Sequence, residues 1–168
     1  MASVDEAHIV SANWSAEFIR GTLDNVLPTR SIPIIANDLH TDEHGLTTGA
    51  IEIRVQSSEH KAREVQIIRS ASALNAQDGS LLVFVGDGIN DVLAMLEADV
   101  GISLNQQPMT AMLHDIAALA GVTLKQLAEY DSLTECAAVA TLAKTRGARV
   151  LFAAEDWTEL SRFLRSTQ

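Results

Sequence analysis

Short apolar runs alternate along the chain with stretches whose apolar residues recur at helical spacing. His8-Ile-Val-Ser11 predicts a short strand. Ser15 is placed to cap a helix over residues 16–25, with Phe18, Ile19 and Leu23 on one face. Pro28 and Pro33 punctuate the loop beyond it, and residues 32–36 form a second β-branched run. Residues 38–49, rich in His, Asp, Gly and Thr, predict a hairpin-type excursion. Residues 50–55 then alternate, with Ile51, Ile53 and Val55 on one face and Glu52 and Arg54 on the other.

Ser57-Ser58-Glu59 introduces a long helix to about residue 76, with Ala62, Val65, Ile68, Ser72 and Ala73 as its inner stripe. Residues 81–85 are an unbroken apolar run, the pattern of a strand buried on both faces of a parallel sheet. A turn, Gly86-Asp87-Gly88, leads into a helix over 89–98, and residues 100–102 predict another strand. Two or three helical segments are expected across 110–144, ended by Gly147. Residues 150–153 predict a final strand, and Asp156 a cap for a closing helix over 157–165. Strand, crossover helix and strand in repetition predict an α/β fold built on an open, mostly parallel sheet.

A length of 168 residues fits a single domain over 1–168. The chain is 47% hydrophobic and 20% charged, which is a globular balance, but only 4% aromatic, so Ala, Leu, Ile and Val must build the core. A formal charge of -10 argues against nucleic acid or an anionic membrane as partner. The single cysteine, Cys136, excludes an internal disulfide and fits a reducing compartment. The first residues carry neither a basic segment nor an apolar one, and no apolar run approaches the roughly 20 residues that span a bilayer. The expectation is a soluble cytoplasmic domain.

The candidate chemistry lies at the end of the 81–85 run. Asp87 stands where a strand ends and the chain turns, at the carboxyl end of the sheet, where open α/β folds bind ligands. Asp91 follows one helical turn later, so both carboxylates can face one site. Held that close they repel unless a cation lies between them, and a hard ion such as Mg²⁺ suits oxygen ligands. Alone, the two acids read better as a helix cap and a first-turn residue.

The full string Gly86-Asp-Gly-x-Asn-Asp91, with Ala98-Asp-Val-Gly-Ile102 one helix later, is far more specific. It resembles the metal-binding motif of the haloacid dehalogenase superfamily of phosphotransferases. Two further motifs of that family lie upstream in the family's order. His8-Ile-Val-Ser11 matches a strand ending in a phosphate-binding hydroxyl, and Lys61 in Ser58-Glu-His-Lys61 matches a lysine early in a helix. The resemblance implies a three-layer, Rossmann-like core with helices on both faces. It implies Mg²⁺ on Asp87 and Asp91, and a small phosphorylated metabolite held by Ser11, Ala12, Asn13, Lys61 and Asn90. Ser11 and Lys61 would take the catalytic roles. Val10-Ser-Ala-Asn-Trp-Ser15, Thr47-Thr-Gly-Ala-Ile-Glu52 and Asp156-Trp-Thr-Glu-Leu-Ser-Arg-Phe163 look like the corresponding domain of plant and fungal thiamine monophosphate phosphatases. That likeness implies hydrolysis of a small phosphate monoester.

The family's nucleophile, the first Asp of an Asp-x-Asp motif, has no counterpart in these residues. Ten residues precede Ser11, without an apolar strand ending in Asp-x-Asp, and the cap insertion of many relatives is absent as well. Ile34-Ile-Ala-Asn-Asp38-Leu-His40 has an apolar run before an Asp, but His40 replaces the second Asp and the order is wrong, so it reads as a loop. His40, Asp42 and His44 read as an exposed hairpin tip rather than a metal cluster, and His114 and Cys136 as core or surface fillers. The expectation is a phosphatase-type core without its central nucleophile strand, inactive as this chain. Its unpaired strand edges favour homo-oligomers. A non-catalytic module that binds phosphate and Mg²⁺ is the alternative. The phosphorylation domain of P-type ion pumps shares the Gly-Asp-Gly-x-Asn-Asp string but would need Asp-Lys-Thr-Gly and membrane spans.

Overall fold

The computed structural model describes residues 6–24, 32–73, 80–104, 115 and 118–166. The chain divides into two compact units, Ser3–Lys61 and Ala62–Gln168.

In the first unit, β1 (Ile9–Val10) pairs in parallel with β2 (Ile34–Ile35), Ile9 opposite Ile34. Between them lies α1 (Ala16–Leu23), where the Ser15 hydroxyl accepts from the Phe18 amide at 3.2 Å, the cap expected from the sequence. Its apolar face differs from expectation. Ile19 and Leu23 are half-buried, but Phe18 is 66% exposed. Each residue advances about 100° around a helix, so Ile19 and Leu23 lie about 40° apart while Phe18 is about 140° from Leu23.

The expected hairpin is β3 (Asp38–Thr41) and β4 (Thr47–Glu52), antiparallel, with Leu39 opposite Ile51 and a register shift before Thr41. The Asp42 carboxylate closes its tip by accepting from His44 N and Leu46 N, both at 2.9 Å, and Gly45 supplies the positive φ of 78° that the turn needs. The shared apolar face of Ile51, Ile53 and Val55 is not a buried one. Ile51 and Ile53 are exposed and only Val55, beyond the end of the strand, is buried. A two-stranded ribbon has no layer of its own to cover either face, so alternation made a strand here without making a core.

The helix α2 (Ser58–Ala73) crosses from the first unit into the second, and Ala62 and Val65 of its expected inner stripe are buried. The stripe's last two side chains, at 72 and 73, lie outside the description, as does His114.

The second unit is a four-stranded, wholly parallel sheet in the order β5 (Val83–Gly86), β6 (Val100–Leu104), β8 (Arg149–Ala154), β7 (Val122–Gln126). Val100, Ile102 and Leu104 alternate with Gly101 and Ser103 along β6, and every residue of that strand is buried. The first three pack with Phe152 and Ala154 under α4 (Leu133–Thr145) and α5 (Trp157–Ser166), through Cys136, Leu160 and Phe163. On the opposite face Met95 of α3 (Val92–Glu97) packs against Val122 and Leu151. Helices thus cover both faces, as the α/β reading expects.

Two expectations are corrected here. The 81–85 run is not the strand buried on both faces. Among the described residues β5 is a margin of the sheet and only half-buried, and β6 takes the fully buried place. The 110–144 stretch, read as helical, contains β7. Val122-Thr-Leu-Lys-Gln126 alternates with period two after Gly121 at φ 66°, a helix break hidden by helix-forming neighbours.

Both closing helices are capped by their own sequence. Ser132 accepts from Glu135 N at 3.2 Å, Asp156 accepts from Glu159 N at 2.7 Å, and the Glu159 carboxylate reaches back to Glu155 N. Cys136 is buried in the core, and burial, with the Glu135 charge as the lesser cause, pushes its thiol up to about 12. The native chain is therefore expected to leave Cys136 unmodified by a thiol-specific disulfide reagent at pH 8, and to react fully in denaturant. Rapid reaction of the folded chain would contradict this packing. Among the described residues no helix is long and apolar enough to cross a membrane.

Candidate active site

The site at the carboxyl end of the sheet is built by one short segment. β5 ends at Gly86, Asp87 and Gly88 turn the chain, and a single 3₁₀ turn over Ile89–Asp91 delivers it into α3. The turn closes on itself: Asp91 N donates to Gly88 O at 3.0 Å, and Gly88 N donates to the Asp91 carboxylate at 3.1 Å. Asp91 is buried, while Asp87 and Asn90 are exposed. A Cβ on Gly86 would lie 2.4 Å from Asp91 Cβ and 2.6 Å from its carboxyl carbon. Glycine at 86 is what lets the Asp91 carboxyl rest directly against the end of the strand.

The motif's third acid, Asp99, has a different task. Its carboxylate accepts from Leu82 N at 2.9 Å and from Arg69 at 2.9 Å, while Arg69 also donates to Glu97 O at 2.7 Å. The start of β6, the approach to β5 and α2 are tied together by one ion pair, and Asp99 is structural. Arg69 was not legible as its partner, because thirty residues separate them.

In the first unit, Ser11 follows β1 directly, and its amide donates to Ile35 O at 2.9 Å. Its hydroxyl oxygen accepts from Asn13 N at 3.1 Å, which leaves the O–H available as a donor. The Asn13 carboxamide accepts from Trp14 N at 2.7 Å and from Ser15 N at 3.3 Å, folding the loop toward α1. Ala12 is exposed. Lys61 is half-buried in the first turn of α2, its amide donating to Ser57 O at 3.2 Å. Thus Ser11, Ala12, Asn13 and Lys61 belong to the first unit, and Asp87, Asn90 and Asp91 to the second.

Sequence reasoning missed Asn37, which is buried and spends its whole carboxamide on neighbours. It donates to Ala12 O at 3.2 Å and Val55 O at 3.0 Å, and accepts from Arg54 N at 2.8 Å and Val55 N at 2.9 Å. Its amide also donates to Asn13 O at 3.1 Å. Asn37 therefore clamps the loop after Ser11 to the segment leaving the hairpin. Asp38 and His40, rejected as nucleophile and general acid, are strand residues of β3 rather than a loop. His40, Asp42 and His44 are exposed at and beside the hairpin tip.

Among the described residues no three His, Cys, Asp or Glu side chains group as a metal cluster. Mg²⁺ does not require one, because it is commonly held by one or two carboxylates with water and substrate oxygens completing the shell. The residues fit that role on two observations: the buried Asp91 carboxyl cradled by Gly86, and the Ser103 hydroxyl, buried on β6 without a hydrogen-bond partner among the described residues.

A parallel α/β sheet with Asp87 and Asp91 on a glycine-framed turn at its carboxyl end is the arrangement that the motif's resemblance to the haloacid dehalogenase superfamily implies. Over 98 residues it is 33% identical to the bifunctional TH2 protein, mitochondrial, of Arabidopsis thaliana, a match taking in 58% of this chain. The chain spans only a small part, 16%, of that relative's length. Among solved structures, a phosphoserine phosphatase in apo form aligns with a TM-score of 0.44 and 22% identity, over 62% of this chain and 48% of that one. No profile of a protein family matches the chain.

Proposed function

We propose that this chain carries the phosphate- and Mg²⁺-binding part of a haloacid dehalogenase-like phosphatase for a small phosphate monoester. The observation that carries the reading is the Asp91 carboxyl held against Gly86 at the end of a parallel strand, with Asp87 exposed between that strand and the 3₁₀ turn. Asp87 and Asp91 would hold the ion, which supplies charge neutralisation at the phosphoryl group. Ser11 offers a hydroxyl donor from a loop fixed by Asn37, Lys61 a positive charge, and Asn90 an exposed amide near the turn. Thiamine monophosphate is the substrate to test first, because the segments around Ser11, Thr47 and Trp157 resemble phosphatases of that ester.

In-line attack on phosphorus needs an activated nucleophile, and the 168 residues contain no Asp-x-Asp. They are therefore expected to show no Mg²⁺-dependent hydrolysis of an aryl phosphate or of thiamine monophosphate above background. Turnover that disappears in Asp87→Ala would overturn this expectation. The same absence favours a second reading, a binding module without turnover. Calorimetry with inorganic phosphate and Mg²⁺ separates the readings: binding without hydrolysis supports the module, and hydrolysis supports the enzyme. A net charge of -10 supports a partner that is neither nucleic acid nor membrane, and the lone buried Cys136 supports a reducing compartment such as the cytoplasm. The position of β5 at the margin of the sheet, among the described residues, supports self-association, which light scattering would detect.

A further inference from the structure

Ser103 stands out in the second unit because it is 1% exposed and its hydroxyl has no hydrogen-bond partner among the described residues. A buried hydroxyl left unpaired is costly, and a neighbourhood that tolerates it calls for an explanation. The strand register supplies one. Ser103 pairs with Gly86 across parallel strands, and paired residues direct their Cβ positions to the same face of a sheet. The Cβ that Gly86 lacks would meet Asp91, so the Asp91 carboxyl occupies the face on which Ser103 carries its hydroxyl, one strand away. The neighbours on β6 confirm the assignment. Ile102 and Leu104 belong to the core under α4 and α5, whereas a Cβ on Gly101 would strike Met95 of α3. Ser103 therefore shares with Gly101 and Asp91 the side of the sheet that α3 covers.

We propose that Ser103 is a positioning residue of the cation site, its hydroxyl donating to the Asp91 carboxylate when a divalent ion is bound by Asp87 and Asp91. This rests on the cation reading above. A carboxylate ligand needs one oxygen aimed at the metal and the other restrained. Gly88 N restrains Asp91 from the turn, and Ser103 would do so from the sheet. The serine interrupts an otherwise apolar strand, Val100-Gly-Ile-Ser-Leu104, where packing alone asks for alanine or valine.

Mn²⁺ is the probe, titrated against the full chain with the free ion read by electron paramagnetic resonance. Ser103→Ala is expected to weaken Mn²⁺ binding about tenfold, the scale of lost second-sphere contacts, and to leave the thermal midpoint without metal unchanged or raised. Ser103→Thr, which keeps the hydroxyl, is expected to retain most of the affinity. Equal affinity in wild type and Ser103→Ala, with binding lost in Asp87→Asn, overturns the role of Ser103 alone. A lower midpoint in Ser103→Ala assigns the residue to packing and also overturns it. Wild-type chain that takes up no Mn²⁺ overturns the cation reading and this inference together.

Discussion

Replacing Asn37 by alanine is expected to destabilise the chain by about 2–6 kcal/mol, the cost of stranding two buried backbone groups at roughly 1–3 kcal/mol each. A carboxamide has two N–H donors and one oxygen that accepts twice. In Asn37 all four are used, on Ala12 O, Val55 O, Arg54 N and Val55 N. Water can reach exposed Ala12 and Arg54 in the variant, but Val55 is fully buried and its N–H and C=O lose their partners together. The functional consequence follows from the same bonds. Ala12 O and Asn13 O are both tethered to Asn37, so the variant is expected to loosen the loop after Ser11 and speed amide exchange there. Asn37→Asp sharpens the test. It preserves the acceptor but turns a carboxylate oxygen toward two carbonyls, which raises the folded-state pKa above the unfolded value near 3.9. Stability is then lost as pH rises through that range and regained on acidification, opposite to a salt-bridged aspartate. Urea unfolding at pH 7 and pH 4.5 measures both effects. A loss below 1 kcal/mol in Asn37→Ala would show that the clamp is dispensable.

How much of this was legible beforehand depended on whether the signal was local. The N-caps at Ser15 and Asp156, the hairpin tip at Asp42 and the strand before Asp87 are each encoded within four or five residues, and they appear where the sequence places them. The corrected elements depend on context. β7 alternates over only five residues between helix-forming neighbours, so period alone could not separate it. Ile51 and Ile53 alternate correctly but have no layer to face. The run ending in Val85 is more apolar than its half-buried place among the described residues requires, while β6, interrupted by Gly101 and Ser103, is the strand wholly enclosed.

The candidate site divides in the same way. Asp87, Asn90 and Asp91 were legible as candidates because they fall within five consecutive residues, and the same short string carries the resemblance. Asn37, Arg69 and Ser103 could not. Each acts across a strand pair or between segments 17 to 30 residues apart, and nothing in its own neighbourhood marks it. Asn37 lies within a segment weighed only as a failed nucleophile motif. Ser103 is one polar letter in an apolar strand, a sign that gains meaning only when the register sets it beside Gly86.

Gly86→Ala and Gly101→Ala should fail in different ways, and the contrast isolates the site from the fold. At Gly101 the new methyl would lie 2.5 Å from the Met95 carbonyl oxygen, 2.7 Å from Leu151 Cδ2 and 2.8 Å from Met95 Cβ. The carbonyl is backbone of α3, and β6 is buried along its whole length, so neither side can yield cheaply. Overpacking of this kind costs about 1–3 kcal/mol, and the backbone contact sets the expected loss at the upper end. At Gly86 the methyl would meet Asp91 Cβ at 2.4 Å, its carboxyl carbon at 2.6 Å and Oδ2 at 2.9 Å. Asp91 begins α3 at the end of a one-turn segment, so the turn can open at the expense of the Gly88 N to Asp91 hydrogen bond. The stability loss is therefore expected to be the smaller of the two, about 1–2 kcal/mol, while the carboxylate leaves the end of the strand. Mn²⁺ affinity should fall at least tenfold in Gly86→Ala, and change little in Gly101→Ala at temperatures where that variant remains folded. If both variants lost affinity only in proportion to their unfolding, the carboxylate at the end of β5 would be a packing feature. A selective loss in Gly86→Ala would tie the ion to the Asp91 cradle, because that clash is made almost entirely with the side chain assigned to hold it.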